Sequence, residues 1–282
     1  MFVSIIWLRF IIKFNYAFSI NLTIVGKLGR ANIHPTAIVE REDLLGDNTR
    51  VHAGACLAGE VRTEKDVLIE SNTIITGPVS VGRGTYAGPN CVIGHPDAIE
   101  FTRLRKSAST DSKGETCIGR DCIIRSGSTI YSSVSIGNRV LFGHNVVIRE
   151  KVVVGNRCKI GTNVVIDGKS TIGSDVSIQT GVYICTYSTV EDGVFLGPCC
   201  VLTNDKYVMQ KKFKLIGPTV KRGASVGANA LLFPGITVGR GAVIGSQAMV
   251  NSDVPPKMIY VGVPAKKMRP VPRGWRSSLL RT

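Results

Sequence analysis

The chain has 282 residues, 44% of them hydrophobic and 31 of them glycine, with a formal net charge of +15. That length and apolar share suffice to bury a long, thin core. The positive excess points to negatively charged partners. The basic residues are scattered, however, and no stacking-aromatic or helix-turn-helix pattern accompanies them, which argues against nucleic acid and for phosphorylated small molecules or a membrane surface.

Residues 1–26 are apolar but broken by Arg9 and Lys13. A signal peptide needs an uninterrupted apolar centre with a small-residue cleavage site, and a membrane span needs about 20 apolar residues nearly free of charge. Neither pattern fits. Residues 1–30 read as an N-terminal cap over the first coil, or as an interfacial segment in which Phe2, Trp7 and Phe10 sit beside Arg9 and Lys13 at a headgroup boundary.

From residue 31 to 254 a period of six governs the chain. A first block places Ile33, Val39, Leu45, Val51, Leu57, Ile69, Ile75, Val81, Ala87 and Ile93 in one phase, with Thr63 the polar exception. A middle block runs without exception from Ile118 through Ile124, Phe142 and Ile160 to Leu202, and a last block continues its phase from Val220 to Val250. Six is neither a helical period nor simple strand alternation; it is the period of a parallel β-solenoid. Three hexads close a coil of eighteen residues, and successive coils lie about 4.8 Å apart. Gly119, Gly137, Gly155, Gly161 and Gly173 each follow a core residue, which predicts backbone torsions that a β-carbon would penalise. The residues two before each core position are small or turn-forming, as a sharp corner requires. A narrow prism has much exposed surface, and three packed side by side would form a closed homotrimer.

Two stretches break the period, 95–116 and 203–219, and long irregular segments inside a repeat are where binding loops occur. His95 opens the first. Asn204, Asp205 and Tyr207 lie in the second. His144 follows the core residue Phe142 by two positions, which predicts a side chain pointing inward or toward a corner. Catalysis or ligand contact and a hydrogen-bonded structural role are both open for it. His34 reads as a turn residue, and His52 has no evident partner. The eight cysteines contain no C-x-x-C pair, and Cys122 and Cys158 are two coils apart, roughly 9.6 Å, too far for a disulfide. They read as small buried fillers in a reducing, cytoplasmic compartment, with membrane association open through residues 1–26, and no metal is expected. After Asp253, Pro255, Pro256, Pro264, Pro270 and Pro272 end the repeat and leave a basic C-terminal tail over 255–282.

The stretch from Gly217 to Asn229, then Phe233-Pro234-Gly235-Ile236-Thr237-Val238-Gly239, Asp253-Val254-Pro255-Pro256 and Val261-Gly262-Val263-Pro264-Ala265-Lys266, resembles the bacterial hexapeptide-repeat acyltransferases. The segments Glu191 to Pro198 and Leu202 to Tyr207 are similar to the 3-amino-sugar N-acetyltransferases that act on nucleotide-linked sugars. The likeness spans about residues 118–268. It implies a left-handed parallel β-helix, a homotrimer, and acetyl-CoA lying between neighbouring prisms. Small residues, Gly223, Ala224, Gly227, Ala228, Gly241 and Ala242, would let the pantetheine arm approach, and Lys221, Arg222, Lys266 and Lys267 would meet the phosphates. Many O-acetyltransferases of this kind carry a catalytic histidine in the loop that begins here at Thr203, yet no histidine occurs from 145 to 282. That departure suits acylation of an amine, with Asp205 holding the ammonium and Asn204 orienting it or the thioester carbonyl, although both also suit a turn.

A second resemblance pulls the other way. Val92-Ile93-Gly94-His95-Pro96-Asp97, the insertion after it and His144 resemble the UDP-N-acetylglucosamine O-acyltransferases, which implies His144 as the base for a sugar hydroxyl. Those enzymes end in a helical domain, which the proline-rich residues after Val250 cannot build. A non-catalytic β-helix scaffold subunit is the alternative of another class. A γ-type carbonic anhydrase would need three clustered histidines, and the four present are isolated.

Overall fold

The structure is a computed structural model and describes residues 30–105 and 114–280. The expected N-terminal cap or interfacial segment falls almost wholly outside these residues.

Two-residue strands recur at each hexad and stack into three parallel sheets of 13, 11 and nine strands. The chain visits the three faces in rotation: Leu141–Phe142 on the first, Val147–Ile148 on the second, Val153–Val154 on the third. Neighbours in a sheet are one coil apart, so Leu141 pairs with Lys159, Val147 with Val165 and Val153 with Thr171. The result is an all-β solenoid of about 12 turns, consistent with a left-handed β-helix. Among the described residues the only helical elements are Ala98–Leu104 and a single 3-10 turn, Glu42–Leu44.

In most of the two-residue strands the first residue faces out and the second faces in, as Leu141 at 40% exposure and Phe142 at 1% illustrate. Every hexad residue from Ile118 to Leu202 and from Val220 to Val250 is buried. Side chains 18 residues apart therefore form continuous internal columns, each burying about 1.5–3 kcal/mol per large aliphatic side chain. Thr63 keeps its place in the column: its hydroxyl lies 2.9 Å from that of buried Thr49 and accepts the Gly46 N–H. The residues two before each hexad position are buried as well, Cys122, Val134, Val140, Val146, Cys158 and Val164 among them. They are small because they plug the corners from inside. Where they are hydroxylic they satisfy carbonyls across the corner, as Ser170 and Ser188 both donate to the Cys185 oxygen.

The corners turn three residues after each hexad position. There Asp121, Ser133, Arg139, Asn145, Lys151, Arg157 and Asn163 have φ near +57°, with Gly127 and Gly181 in the same conformation. The glycines directly after core residues serve a different end from the one expected. Gly119, Gly137, Gly155, Gly161 and Gly173 are absent from the left-handed region. A β-carbon on Gly155 would instead lie 2.6 Å from the Gly173 carbonyl carbon in the next coil, and one on Gly161 2.5 Å from the Thr180 nitrogen. Close approach of coil on coil, rather than torsion, demands glycine.

The segment after residue 254 is built into the fold rather than left as a tail. Met258–Val261 adds a parallel strand to the first face, and Lys266–Pro270 pairs antiparallel with it. The chain then doubles back until the Ser277 hydroxyl donates to the Gly193 carbonyl at 2.7 Å. A β-carbon on Gly193 would meet Leu280 at 2.3 Å, so the left-handed Gly193 also makes room for this strap. Prolines stop the hexads, but the exposed edge of the first face still offers unpaired backbone groups for one more hairpin.

Candidate functional site

Both insertions leave the same corner, the one between the second and third faces. The first follows the strand Val92–His95 and the second follows Val201–Leu202, both strands of the second face. Four second-face strands separate them, so they stand about 24 Å apart along one edge of the prism.

The first insertion begins with a bulge at Gly94, after which His95 pairs with Tyr131. Asp97 caps the helix Ala98–Leu104, accepting from the Ile99 and Glu100 N–H groups, while Glu100 returns the capping-box bond to Asp97 N–H. The Glu100 carboxylate also accepts the Ser132 hydroxyl, which ties the helix to the corner. The His95 ring is wedged edge-on between Phe101 and Tyr131, with centroids at 5.4 and 4.9 Å. Burial there lowers its pKa.

On the same corner, between the second and third faces, the outward positions after His95 carry a ladder that sequence reasoning missed. The Arg149 guanidinium sits 4.9 Å from the Tyr131 ring centroid and bonds Glu150 at 2.9 Å. Its other nitrogen faces Asp167 at 3.9 Å, and Asp167 accepts the Tyr183 hydroxyl. Burial, reinforced by that carboxylate, pushes the Tyr183 phenol up to about 12. The signal was present: Tyr131, Arg149 and Asp167 are spaced by eighteen and each directly follows a core residue.

In the second insertion Asn204 donates to the Thr186 carbonyl at 3.3 Å, one coil back. Both carboxylate oxygens of Asp205 are engaged by the loop's own backbone, accepting from the Tyr207 and Met209 N–H groups at 2.9 and 2.8 Å. Tyr207 stacks edge-on with Phe213. Asp205 therefore helps to organise the loop, each carboxylate oxygen accepting one backbone N–H and keeping a second lone pair.

His144 stands elsewhere. It is exposed at the corner between the first and second faces, neither inward nor beside the insertions, and its Nδ1 is 2.7 Å from the Ser126 hydroxyl one coil back. Its backbone N–H bonds the Thr162 hydroxyl one coil on. The whole second face and three coils separate it from Asn204, so one chain does not bring His144, Asn204 and Asp205 together. His34 bonds Thr36 within its turn, and His52 finds Glu70 at 3.1 Å, a partner not evident from spacing.

The residues expected to hold acetyl-CoA divide between two corners. Gly227 and Ala228 lie on the corner of His144, four coils further along. Lys266 and Lys267 are exposed near the end of that corner, opposite Val261 and Tyr260. Lys221, Arg222, Gly223 and Gly241 lie on the corner between the third and first faces. There the Lys221 ammonium pairs with Glu191 at 2.9 Å, and Glu191 also accepts the Arg222 N–H. Gly223 and Gly241, both with left-handed φ, border a ≈ 310 Å³ cleft closed by Trp275 and Ser277 of the strap. Ala224 and Ala242 are fully buried and cannot touch a ligand. They occupy the internal column two before Val226 and Ile244. Among the described residues no cluster of histidine, cysteine and carboxylate side chains could hold a metal.

The architecture is thus a hexad-repeat solenoid whose candidate site residues are distributed over its corners. Residues 133–168 match the family model for the bacterial transferase hexapeptide (six repeats), and residues 222–247 match that for the hexapeptide repeat of succinyl-transferase. Hexapeptide repeats of the kind found in bacterial transferases therefore lie in both the middle and the last block of the chain. An acyl-[acyl-carrier-protein]–UDP-N-acetylglucosamine O-acyltransferase from Chlamydia abortus is 32% identical over 118 residues, 42% of this chain and 39% of that protein. Its counterpart from Sinorhizobium fredii is 23% identical over 136 residues, 42% of this chain and 50% of that protein. The chain thus spans two-fifths to half of the length of these curated relatives. Among solved structures, UDP-N-acetylglucosamine acyltransferase from Campylobacter jejuni aligns at a TM-score of 0.46 and 16% identity over 84% of this chain and 74% of that one. A mutant GDP-perosamine N-acetyl transferase from Caulobacter crescentus, in complex with CoA and GDP-perosamine, aligns at 0.38 and 21% identity over 65% and 70%.

Proposed function

We propose that the protein transfers an acyl group from a thioester donor to a nucleotide-linked sugar, with His144 as the general base. The observation that carries this reading is the His144–Ser126 pair: an exposed imidazole held through Nδ1 at 2.7 Å from the Ser126 hydroxyl. With Nδ1–H donating to Ser126, Nε2 carries the lone pair and takes the proton from the attacking group. That group adds to the thioester carbonyl carbon, the tetrahedral intermediate expels the thiolate, and the imidazolium returns the proton to sulfur. Gly227 and Ala228 leave the same corner shallow enough for an extended pantetheine arm, and Lys266 and Lys267 lie where it would end. Acetyl-CoA is the proposed donor. A homotrimer, in which the His144 corner of one prism meets the loop-bearing edge of the next, would unite the two halves of the site.

The acceptor first suggested by the chain is an amine. The O-acyltransferase names of the curated relatives and the presence of a candidate imidazole base favour a hydroxyl, while Asp205, with an acceptor site left on each oxygen, keeps the amine as the second reading. The deciding experiment presents UDP- and dTDP-linked sugars, with free amino or only hydroxyl groups, together with acetyl-CoA or an acyl carrier protein thioester, and follows thiol release. His144→Ala should lower the rate by about 10²–10⁴-fold. Undiminished turnover in that variant would remove His144 from the chemistry. No thiol release with any pair, and no CoA-induced thermal shift, would leave the scaffold reading standing.

A further inference from the structure

The loop of the second insertion has features that acyl transfer does not account for. Lys206, Lys211, Lys212 and Lys214 are all exposed within nine positions and make no ion pair among the described residues. The stretch has a single acid, Asp205, which accepts two backbone N–H bonds and makes no ion pair with these lysines, so the loop is net cationic. At the tip, Val208 is 78% and Met209 87% exposed. Both have left-handed torsions, φ 49° and 64°, a conformation unfavourable for a β-branched residue such as Val208. The loop is nevertheless braced, since Asp205 ties down Met209, Tyr207 packs on Phe213 and Lys211 lies 5.4 Å above the Tyr207 ring. A built turn thus holds two apolar side chains out in water, beside a concavity lined by Lys211, Lys212, Lys214 and Phe213.

We propose that this loop docks the protein on a membrane surface bearing anionic lipid headgroups. Val208 and Met209 enter the headgroup–acyl boundary, the lysines meet lipid phosphates, and the aromatic pair sits at the interface, where amphipathic rings are favoured. A convex apolar tip ringed by cations suits a deformable bilayer better than an acidic protein, whose surface would need a matching pocket. The inference does not depend on the acyl-transfer reading.

The test is co-sedimentation of the full-length protein with vesicles of phosphatidylcholine alone or mixed with phosphatidylglycerol, at low and high salt. Binding should require phosphatidylglycerol and weaken with salt. Each lysine changed to glutamine should lower the partition coefficient by about fivefold, and Val208→Asp with Met209→Asp should abolish most of the remainder. As a measurement independent of charge, Val208→Trp should add fluorescence that brominated phosphatidylglycerol quenches. Unchanged binding in the Val208→Asp/Met209→Asp protein, equal binding to neutral vesicles, or an unquenched tryptophan would overturn the proposal. Capture of an acidic carrier protein through the same lysines without vesicle binding would also overturn it.

Discussion

Replacing Gly155 with alanine isolates the reason for glycine in this repeat. Its torsions lie outside the left-handed region, so alanine brings no conformational penalty of its own. The new methyl would stand 2.6 Å from the Gly173 carbonyl carbon and 2.7 Å from Gly173 O and Ser174 N, roughly 0.8 Å short of ordinary contact. Relief requires the two coils to part at the point where Gly155 N–H donates to Ile172 O at 2.8 Å. Opening that bond by such a distance forfeits about 1 kcal/mol, and overpacking a tight interior adds about 1–3 kcal/mol. The expected loss is therefore about 2–4 kcal/mol, read as a drop in the midpoint of urea denaturation followed by circular dichroism. Asn163→Gly is the control: it occupies a left-handed corner, φ 56°, and should be neutral within about 0.5 kcal/mol or slightly stabilising. If Gly155→Ala proves as harmless as the control, coil-on-coil contact is not what selects glycine here.

Truncating Phe142, fully enclosed in its column, to alanine should cost about 3–5 kcal/mol, again measured by denaturation; a loss below about 1 kcal/mol would contradict the continuous core. Burial pushes the Cys158 and Cys185 thiols up to about 11 and Cys200 to about 12. A chromogenic disulfide at neutral pH should label exposed Cys117 and Cys199 quickly and leave the buried thiols until denaturant is added. The lowered pKa of His95 means that protonation opposes its packing against Phe101 and Tyr131. Its contribution to stability is complete above the ordinary value of 6.5 and is lost as pH falls through that value and the lower folded one. The protection factors of the amides in Ala98–Leu104, exchange rates corrected for the intrinsic pH dependence, should fall with acid over that range, and His95→Phe should flatten the dependence. Ser126→Ala, which removes the Nδ1 partner, should lower kcat roughly tenfold with little change in KM; an unchanged kcat would deny Ser126 an orienting role.

The columns of the core were legible because a two-residue strand leaves a single inward position, and steric demand there selects Ile, Val, Leu or Phe regardless of what surrounds it. The two insertions were legible as breaks in that demand. What lay beyond reading was anything decided on the outer surface between coils. His52 and Glu70 meet because 18 residues make one turn, and Arg149 reaches Asp167 by the same rule, yet neither pairing leaves a mark in the hexad phase. Ala224 and Ala242 read from the sequence as ligand-facing because small size suits both a groove wall and the inside of a corner; only burial separates the two. Asp205 illustrates a further limit. An acid in a loop reads alike whether its oxygens face a substrate or cap the loop's own amides, and the difference rests on torsions two to four residues on.

The hairpin that closes the first face has one further effect. A parallel solenoid grows by adding strands along its axis, and its last strand would ordinarily invite the first coil of another molecule. Here the last strand runs the opposite way, all five residues of Lys266–Pro270 are exposed, and Pro270 lacks an N–H. Lys266, Lys267 and Arg269 also meet any end-on copy with like charge. End-on addition of a further solenoid is thereby opposed at this edge.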